Sequence, residues 1–176
     1  MIAPAADPPG VHLPDAEDAL ATLAERMRAA VAHDAAVVGI YSGGAWVADR
    51  LAGLVPGDHA VGYLDVSFYR DDYAKKGLKA GARRSALPFD VAGARIVLID
   101  DVLYTGRSTR AAINELFDYG RPASIELAVL VDRGGRELPI EPTYSGARVA
   151  CARSLNIVLA RGVDGRLALS VEPAGG

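Results

Sequence analysis

Two adjacent carboxylates, Asp100 and Asp101, directly follow the apolar residues 96–99 and precede the polar segment 105–109. The apolar run is typical of a strand that is buried on both faces, and the polar segment leads into a helical pattern. Carboxylates at the end of such a strand can hold ribose hydroxyls or a hydrated metal ion, and a loop at a helix N-terminus can hold a phosphate. These residues therefore indicate a sugar-phosphate site. The alternative is an ordinary strand, turn and helix with a solvated acidic turn, although neighbouring carboxylates repel each other and usually serve a function.

The elements that must position these residues follow from the hydrophobic spacing. Asp15 is a suitable N-cap for a helix whose apolar residues recur at helical spacing as far as Val31. Short, almost entirely apolar strands alternate with helices further on, which predicts an α/β fold with an open, mostly parallel twisted sheet flanked by helices. The segment 156–171 is expected to form two strands around a turn at residues 163–166 and, with the first helix, a small cap. The other expected elements are strands at 36–40, 61–67, 96–99 and 125–131 and helices at 45–54 and 108–119.

Two more segments that follow predicted strands have residues suited to ligand contact. Ser42, Gly43 and Gly44 come after the first strand, and the two glycines allow backbone amides to turn toward an anion. The alternative there is a plain glycine-rich turn. Residues 69–84 contain six basic residues, two glycines and no hydrophobic periodicity. A stretch of this length favours a mobile functional loop over a passive connection.

Residues 96–108 resemble the signature of the type I phosphoribosyltransferases, which transfer ribose 5-phosphate from phosphoribosyl pyrophosphate (PRPP) to a nitrogen nucleophile. Tyr104 restricts the resemblance to part of that superfamily, because most of its members have a small residue at this position of the signature. The tyrosyl form resembles the pyrimidine operon regulatory protein / uracil phosphoribosyltransferase family. Three further stretches support this resemblance, which extends from Asp15 to the end of the chain: Phe-Tyr-Arg-Asp-Asp at 68–72, Leu-Pro-Phe-Asp at 87–90 and Leu-Val-Asp-Arg-Gly-Gly-Arg-Glu-Leu-Pro-Ile at 130–140.

The resemblance implies a role for each residue of the signature. Asp100 and Asp101 are expected to be catalytic and to take the ribose hydroxyls, with Mg²⁺ bridging between those hydroxyls and the pyrophosphate. Two carboxylates suit Mg²⁺, which keeps most of its waters and seldom takes a full protein cage. Tyr104 is expected to stack on or brace the loop that follows, or simply to pack. The residues expected around the PRPP 5-phosphate are Tyr104, Thr105, Gly106, Arg107, Ser108 and Thr109.

The resemblance also implies a pyrophosphate loop and a lid. Ser42, Gly43 and Gly44 correspond to the pyrophosphate loop. Many relatives have a basic residue at the position of Gly43, so this chain leaves more of the pyrophosphate charge to Mg²⁺ and to the mobile loop. Tyr69 and Arg70 are expected to be catalytic residues of a lid that closes over the site and excludes water. Further basic residues of this lid include Lys75, Lys76, Arg83 and Arg84.

The base is expected at Leu130, Val131, Asp132 and Arg133, where backbone groups at the end of a strand can bind the edge of uracil. The alternative is that Asp132 and Arg133 form a surface ion pair. In the family, the hood formed by the terminal segments covers the base.

The activity that the resemblance implies is uracil phosphoribosyltransferase, in which uracil and PRPP give UMP and pyrophosphate. It also implies a UMP-responsive regulator that binds pyrimidine operon leader RNA and promotes transcription attenuation. The net charge of −3 and Glu141, which stands where an RNA-binding relative could use arginine, favour weak or lost RNA binding, although Arg136 is expected to remain available. The alternatives are a purine-base phosphoribosyltransferase and a non-catalytic PRPP or nucleotide sensor.

Composition limits the remaining possibilities. The 176 residues are expected to form a single domain over 15–176, after a disordered tail over 1–14. No apolar run approaches the length of a membrane span, and the single Cys151 fits a reducing cytoplasm and a packing role. Relatives commonly form dimers or larger assemblies, so a homo-oligomer is expected. Four residues show no ligand spacing and predict neither a zinc site nor a catalytic histidine: His12, His33, His59 and Trp46.

Overall fold

The computed structural model describes residues 11–66 and 85–175. Helices and strands within these residues are numbered in chain order. They are α1 (Ala16–Arg28), β1 (Ala36–Ile40), α2 (Gly43–Leu54), β2 (Val61–Leu64), β3 (Arg95–Leu103), α3 (Arg107–Tyr119), β4 (Ser124–Asp132), β5 (Tyr144–Arg148), β6 (Leu155–Arg161) and β7 (Leu167–Pro173).

Five parallel strands form the central sheet, in the order β2-β1-β3-β4-β5. β3 lies in the middle, with Val97 opposite Val37 of β1 and Ile99 opposite Ala128 of β4. The C-terminal ends of parallel strands meet at one edge, and the strand order changes direction between β1 and β3. Ligands of open α/β sheets bind at such a switch point. The fold therefore brings the segment after β1 and the end of β3 to the position where a ligand is expected.

Each face of the sheet is covered by a separate apolar cluster. Alternate residues of β3 divide between the two faces: Val97 and Ile99 pack with α1 and α2, whereas Ile96 and Leu98 pack with α3. This division follows from the two-residue period of a strand. Because both faces are covered there, residues 96–99 of β3 are all apolar, which is why the strand was recognisable in the sequence.

β6 and β7 form an antiparallel hairpin, as predicted, and this hairpin packs on the α1 and α2 side of the sheet through Ile157, Leu159 and Leu167. Glu17 of α1 fixes it in place. Its carboxylate accepts hydrogen bonds from both terminal nitrogens of Arg50 in α2, at 3.1 and 2.7 Å, and from the amide of Leu167, at 2.8 Å. One carboxylate thus joins both helices of this face to the hairpin.

The predicted fold class is confirmed: the chain has a parallel sheet flanked by helices, with a hairpin at its C-terminal end. Several details differ from the expectation, and among them α1 ends at Arg28 and β2 at Leu64, both earlier than expected. β3 continues four residues beyond the expected end, α2 begins two residues earlier, at Gly43, and β5 was not predicted. The sequence of β5, Tyr-Ser-Gly-Ala-Arg, has small residues with weak strand preference, and its pairing with β4 determines its conformation.

Most of the predicted tail, residues 1–10, lies outside the described residues. Val11 belongs to the apolar cluster on the α1 side. No helix within the described residues is long and apolar enough to cross a membrane.

Candidate functional site

A cavity of about 580 Å³ opens at the C-terminal edge of the sheet. One wall is formed by the end of β3 and the segment that leads into α3, and the facing wall by the start of β6 and the end of the chain. The start of α2 closes a third side. The lining residues that carry polar side chains or allow close backbone approach are Ser42, Gly43, Asp100, Asp101, Tyr104, Thr105, Gly106, Arg107, Ser108, Thr109, Arg153 and Asn156.

Asp100 and Asp101 lie side by side in the last part of β3 and both line the cavity. Asp100 is only 3% exposed, and its Oδ1 accepts a hydrogen bond from the amide of Asp101 at 3.0 Å. Asp101 is half-buried, with its carboxylate against Gly43 at the start of α2. The two strand ends at the switch point therefore meet through Asp101 and Gly43.

Tyr104 to Thr109, here named the phosphate loop, joins β3 to α3. Gly106 is the N-cap of α3 and has a φ of 90°, a conformation that favours glycine. Gly106 has no side chain to cap this helix, and the amide of Arg107 donates to Oγ1 of Thr105 at 3.3 Å. Within the described residues no hydrogen bond engages the amides of Ser108 and Thr109, which are open to a ligand. Thr109 is 1% exposed, and its Oγ1 is buried without a hydrogen-bond partner among the described groups. An anion at this helix end would satisfy both kinds of donor.

Residues 136–140 pack behind the phosphate loop. The carbonyl of Thr105 accepts hydrogen bonds from the amides of Glu137 and Leu138, at 3.0 and 3.2 Å. The Arg107 guanidinium donates through Nε and Nη2 to Glu137, at 3.0 and 2.7 Å. Arg107 is therefore ion-paired with the supporting segment, and its charge is partly balanced at the site.

The predicted pyrophosphate loop lies where expected, with Ser42 and Gly43 lining the cavity and Gly44 packed on the backbone of β3. The peptide bond between Tyr41 and Ser42 is cis. The Tyr41 ring stacks on Tyr63, with centroids 5.4 Å apart. Tyr63 donates its hydroxyl hydrogen to Asp49, and this hydrogen bond, together with burial, raises the pKa of Tyr63 to about 12.

The predicted base residues lie behind the cavity wall. Leu130 and Val131 are fully buried, and neither they nor Asp132 and Arg133 belong to the cavity lining. Asp132 accepts hydrogen bonds from the amide of Gly134, at 3.0 Å, and from Nη2 of Arg136, at 2.7 Å. The alternative of a surface ion pair between Asp132 and Arg133 is wrong, since both are buried and Asp132 pairs with Arg136. Uracil binding at this strand end stays a prediction.

Arg136 is not available to a partner, contrary to the expectation. Its side chain is 13% exposed. Its guanidinium donates to the carbonyls of Ile140 and Tyr104, at 2.8 and 3.1 Å, and to Asp132. Glu141 adds a carboxylate 3.5 Å away. Arg136 thus supports the back of the phosphate loop.

The sequence analysis expected a hood from this hairpin but named none of the hairpin residues that line the cavity. Arg153 and Asn156 line it from the segment that begins β6, and Trp46 lines it from α2. Among the described residues, no hydrogen bond or ion pair engages the Arg153 side chain. The hairpin itself was recognisable, but nothing in its sequence indicates which residues face the sheet edge. The predicted lid residues Tyr69 and Arg70, and the other lid cations, lie outside the described residues.

Comparison with known proteins identifies relatives at two levels of similarity. The sequence profile named phosphoribosyl transferase domain matches residues 11–149. The chain is 55% identical over 157 residues to the bifunctional protein PyrR of Ralstonia nicotianae, covering 88% of this chain and 90% of the relative. It is 46% identical over 153 residues to the bifunctional protein PyrR of Pseudomonas paraeruginosa, covering 85% of this chain and 90% of the relative.

Solved structures have the same fold at lower identity. A hypoxanthine phosphoribosyltransferase of Staphylococcus aureus superposes with a TM-score of 0.63 and 19% identity, covering 85% of this chain and 81% of the other. A purine phosphoribosyltransferase of Pyrococcus horikoshii superposes with a TM-score of 0.55 and 26% identity, covering 76% of this chain and 81% of the other.

Proposed function

The chain belongs to the phosphoribosyl transferase domain family and, within it, to the family of the bifunctional PyrR proteins, and we propose that it is a uracil phosphoribosyltransferase. In this reaction uracil and PRPP give UMP and pyrophosphate. The high identity to PyrR proteins over most of both chains supports uracil over a purine base. The more distant likeness to purine enzymes reflects the common fold.

The observation that carries the proposal is the phosphate loop beside two carboxylates. Thr109 Oγ1 is a buried donor without a hydrogen-bond partner among the described residues, and the amides of Ser108 and Thr109 at the start of α3 likewise have none there. A dianionic 5-phosphate supplies acceptors for both. Asp100 and Asp101 follow one another at the adjoining strand end, where the hydroxyls of a ribose attached to that phosphate would lie. Ionised carboxylates only accept hydrogen bonds, so this pair suits the ribose hydroxyls, which can donate them.

The transfer requires N1 of uracil to lose its proton and to form a bond to C1 of the ribose while the bond from C1 to pyrophosphate breaks. The departing pyrophosphate or water accepts the proton. Positive charge develops on the sugar and negative charge on the departing pyrophosphate, so no covalent nucleophile from the protein is needed. Asp100 and Asp101 stabilise the sugar cation and orient its hydroxyls. Arg153 provides a cation on the facing wall. The hairpin wall helps to exclude water, which would otherwise hydrolyse the sugar cation.

The donor set at the end of β3 fits Mg²⁺. The described residues contain no cluster of three or more potential metal-ligating side chains, and a pair of carboxylates is what Mg²⁺ uses when substrate phosphates and water complete its shell. Asp100 and Asp101 would hold it. When bound with PRPP, the ion neutralises charge on the pyrophosphate.

The test is to incubate the protein with PRPP and Mg²⁺ and with uracil, hypoxanthine, guanine or adenine in turn, and to measure pyrophosphate and nucleotide. We expect UMP to be the main product. A purine nucleotide that forms faster would support the purine-base alternative. PRPP binding without pyrophosphate release for any base would support the sensor alternative.

A second activity, UMP-responsive binding of pyrimidine operon leader RNA, is favoured by the relatives' name, which calls them bifunctional. Its strength depends on exposed cations away from the cavity. Arg136 is occupied, and the exposed Arg148 borders the same surface hollow as the exposed carboxylate of Glu141. We therefore expect weak RNA binding. Filter binding of leader RNA with and without UMP tests this, and tight UMP-stimulated binding at moderate salt would contradict it.

A further inference from the structure

Arg133 is a buried cation without a carboxylate partner among the described residues. It is 5% exposed and follows directly after β4. Its Nη1 donates to the carbonyl of Leu155 at 2.9 Å, and its Nη2 donates to the carbonyls of Ala152 and Cys151 at 3.1 and 3.5 Å. The guanidinium also lies over the ring of Tyr104, 3.9 Å from its centroid. Carbonyl dipoles and an aromatic face thus compensate part of the loss of water around the charge, while Nε is buried without a hydrogen-bond partner among the described residues.

These contacts join two walls of the cavity. The three carbonyls belong to residues 151–155, here named the hood turn, which leads into β6 and includes Arg153. The ring belongs to Tyr104, at the start of the phosphate loop on the facing wall. A single side chain behind the cavity therefore holds both the turn that presents Arg153 and the loop proposed to bind the 5-phosphate.

The Tyr104 end of this connection is held from the other sides as well. Its carbonyl accepts a hydrogen bond from Nη1 of Arg136 at 3.1 Å. Its ring packs on Gly135, where an added Cβ would lie 2.9 Å from Cδ2 of the ring and closer still to Cε2. Arg133 is therefore anchored on a fixed ring, and the hood turn is the part that it positions.

We propose that Arg133 is a positioning residue that sets the location of Arg153 in the cavity by holding the hood turn against Tyr104. This inference rests on the proposed function, because the consequence of losing the contact is weaker binding of PRPP. Without the guanidinium the hood turn loses its three hydrogen bonds, and Arg153 and Asn156 shift relative to the phosphate loop.

The experiment is a cycle of three variants, Arg133→Met, Arg153→Ala and their combination, each measured for PRPP dissociation constant, KM for PRPP and kcat. Alone, Arg133→Met is expected to raise the dissociation constant and the KM by about tenfold and to change kcat by less than about threefold. In the Arg153→Ala background the same change should add less than about twofold, because the residue through which Arg133 acts is already gone. Equal effects in both backgrounds would overturn the proposal.

A second ligand and a second variant complete the test. In the proposed arrangement ribose 5-phosphate contacts the phosphate loop and the Asp100 and Asp101 carboxylates but not the hood turn. Its affinity should therefore change by less than about threefold in Arg133→Met if that loop is intact. Arg133→Lys is the second variant in case Arg133→Met does not fold. A lysine retains the charge but lacks the planar group with several donors, so its KM is expected between those of the wild type and Arg133→Met. Wild-type binding of PRPP without uracil turnover would defeat the proposed function and leave the binding cycle interpretable.

Discussion

The Asp101 carboxylate occupies the space beside Gly43 in which any other residue would place its Cβ. A Cβ built at Gly43 lies 2.5 Å from Cγ and 2.8 Å from Cβ of Asp101, and it overlaps Oδ2. The glycine at the start of α2 and the acid at the end of β3 are therefore fitted to each other.

Gly43→Ala should impair PRPP use without unfolding the protein. The new methyl group forces the Asp101 carboxylate to turn away, and a misplaced carboxylate is expected to lower kcat/KM for PRPP by about tenfold to a hundredfold. Steady-state kinetics measure this effect. Gly53→Ala, on the exposed side of the same helix, is the matched control, since an added Cβ there meets no atom within 4 Å and alanine favours helix. Equal activity in both variants would show that Asp101 does not need its present position.

Asp101→Asn tests the charge alone. The substitution leaves the side-chain volume almost unchanged, so the thermal unfolding midpoint should stay within about 2 °C of the wild type. Turnover of uracil and PRPP should fall by about a hundredfold or more, because the developing positive charge on the ribose loses a carboxylate. Parallel unfolding and pyrophosphate-release measurements separate the two effects. Near-normal turnover would remove Asp101 from the proposed catalytic pair.

Thr109→Val should weaken binding of a 5-phosphate while leaving the free protein at least as stable. The hydroxyl is buried without a described partner, so its removal costs no hydrogen bond in the free state. The ligand complex loses one bond to a charged group, which corresponds to about tenfold in the dissociation constant of UMP. Calorimetric titration measures the affinity for UMP, and thermal unfolding without UMP measures the stability of the free protein. Thr22→Val, at an exposed site of α1, is the control. Equal UMP affinity in the wild type, Thr109→Val and Thr22→Val would contradict a phosphate contact at Thr109.

The sequence predicted the fold class and one wall of the site, and physical reasons explain what it left out. β3 was recognisable because a strand buried on both faces is apolar throughout. Gly106 was expected near the phosphate from the resemblance, but its role as a left-handed N-cap was not predicted. The supporting roles of Arg133 and Arg136 were not recognisable. Their partners are backbone carbonyls, which every residue has, so sequence alone does not indicate which ones a buried guanidinium meets. Arg153 reaches the cavity through the packing of the hairpin on Glu17 and the apolar cluster, a long-range contact without local signal.

Stability should depend on pH through Glu17. The hydrogen bond from Arg50, and then that from the amide of Leu167, lower the pKa of Glu17 below its ordinary value of 4.5. A lowered folded-state pKa means that the stabilisation is complete above pH 4.5 and is lost as the pH falls through the folded-state value. At pH 7, Glu17→Gln should therefore lower the unfolding midpoint by roughly 2–4 °C, for a loss of about 1 kcal/mol, and the difference from wild type should shrink on acidification toward pH 3. The control is Asp34→Asn, which removes the exposed partner of Arg95 and should have little effect on the unfolding midpoint at any pH. If the difference in midpoint between Glu17→Gln and the wild type stays constant from pH 7 to pH 3, the carboxylate charge is not what holds the hairpin.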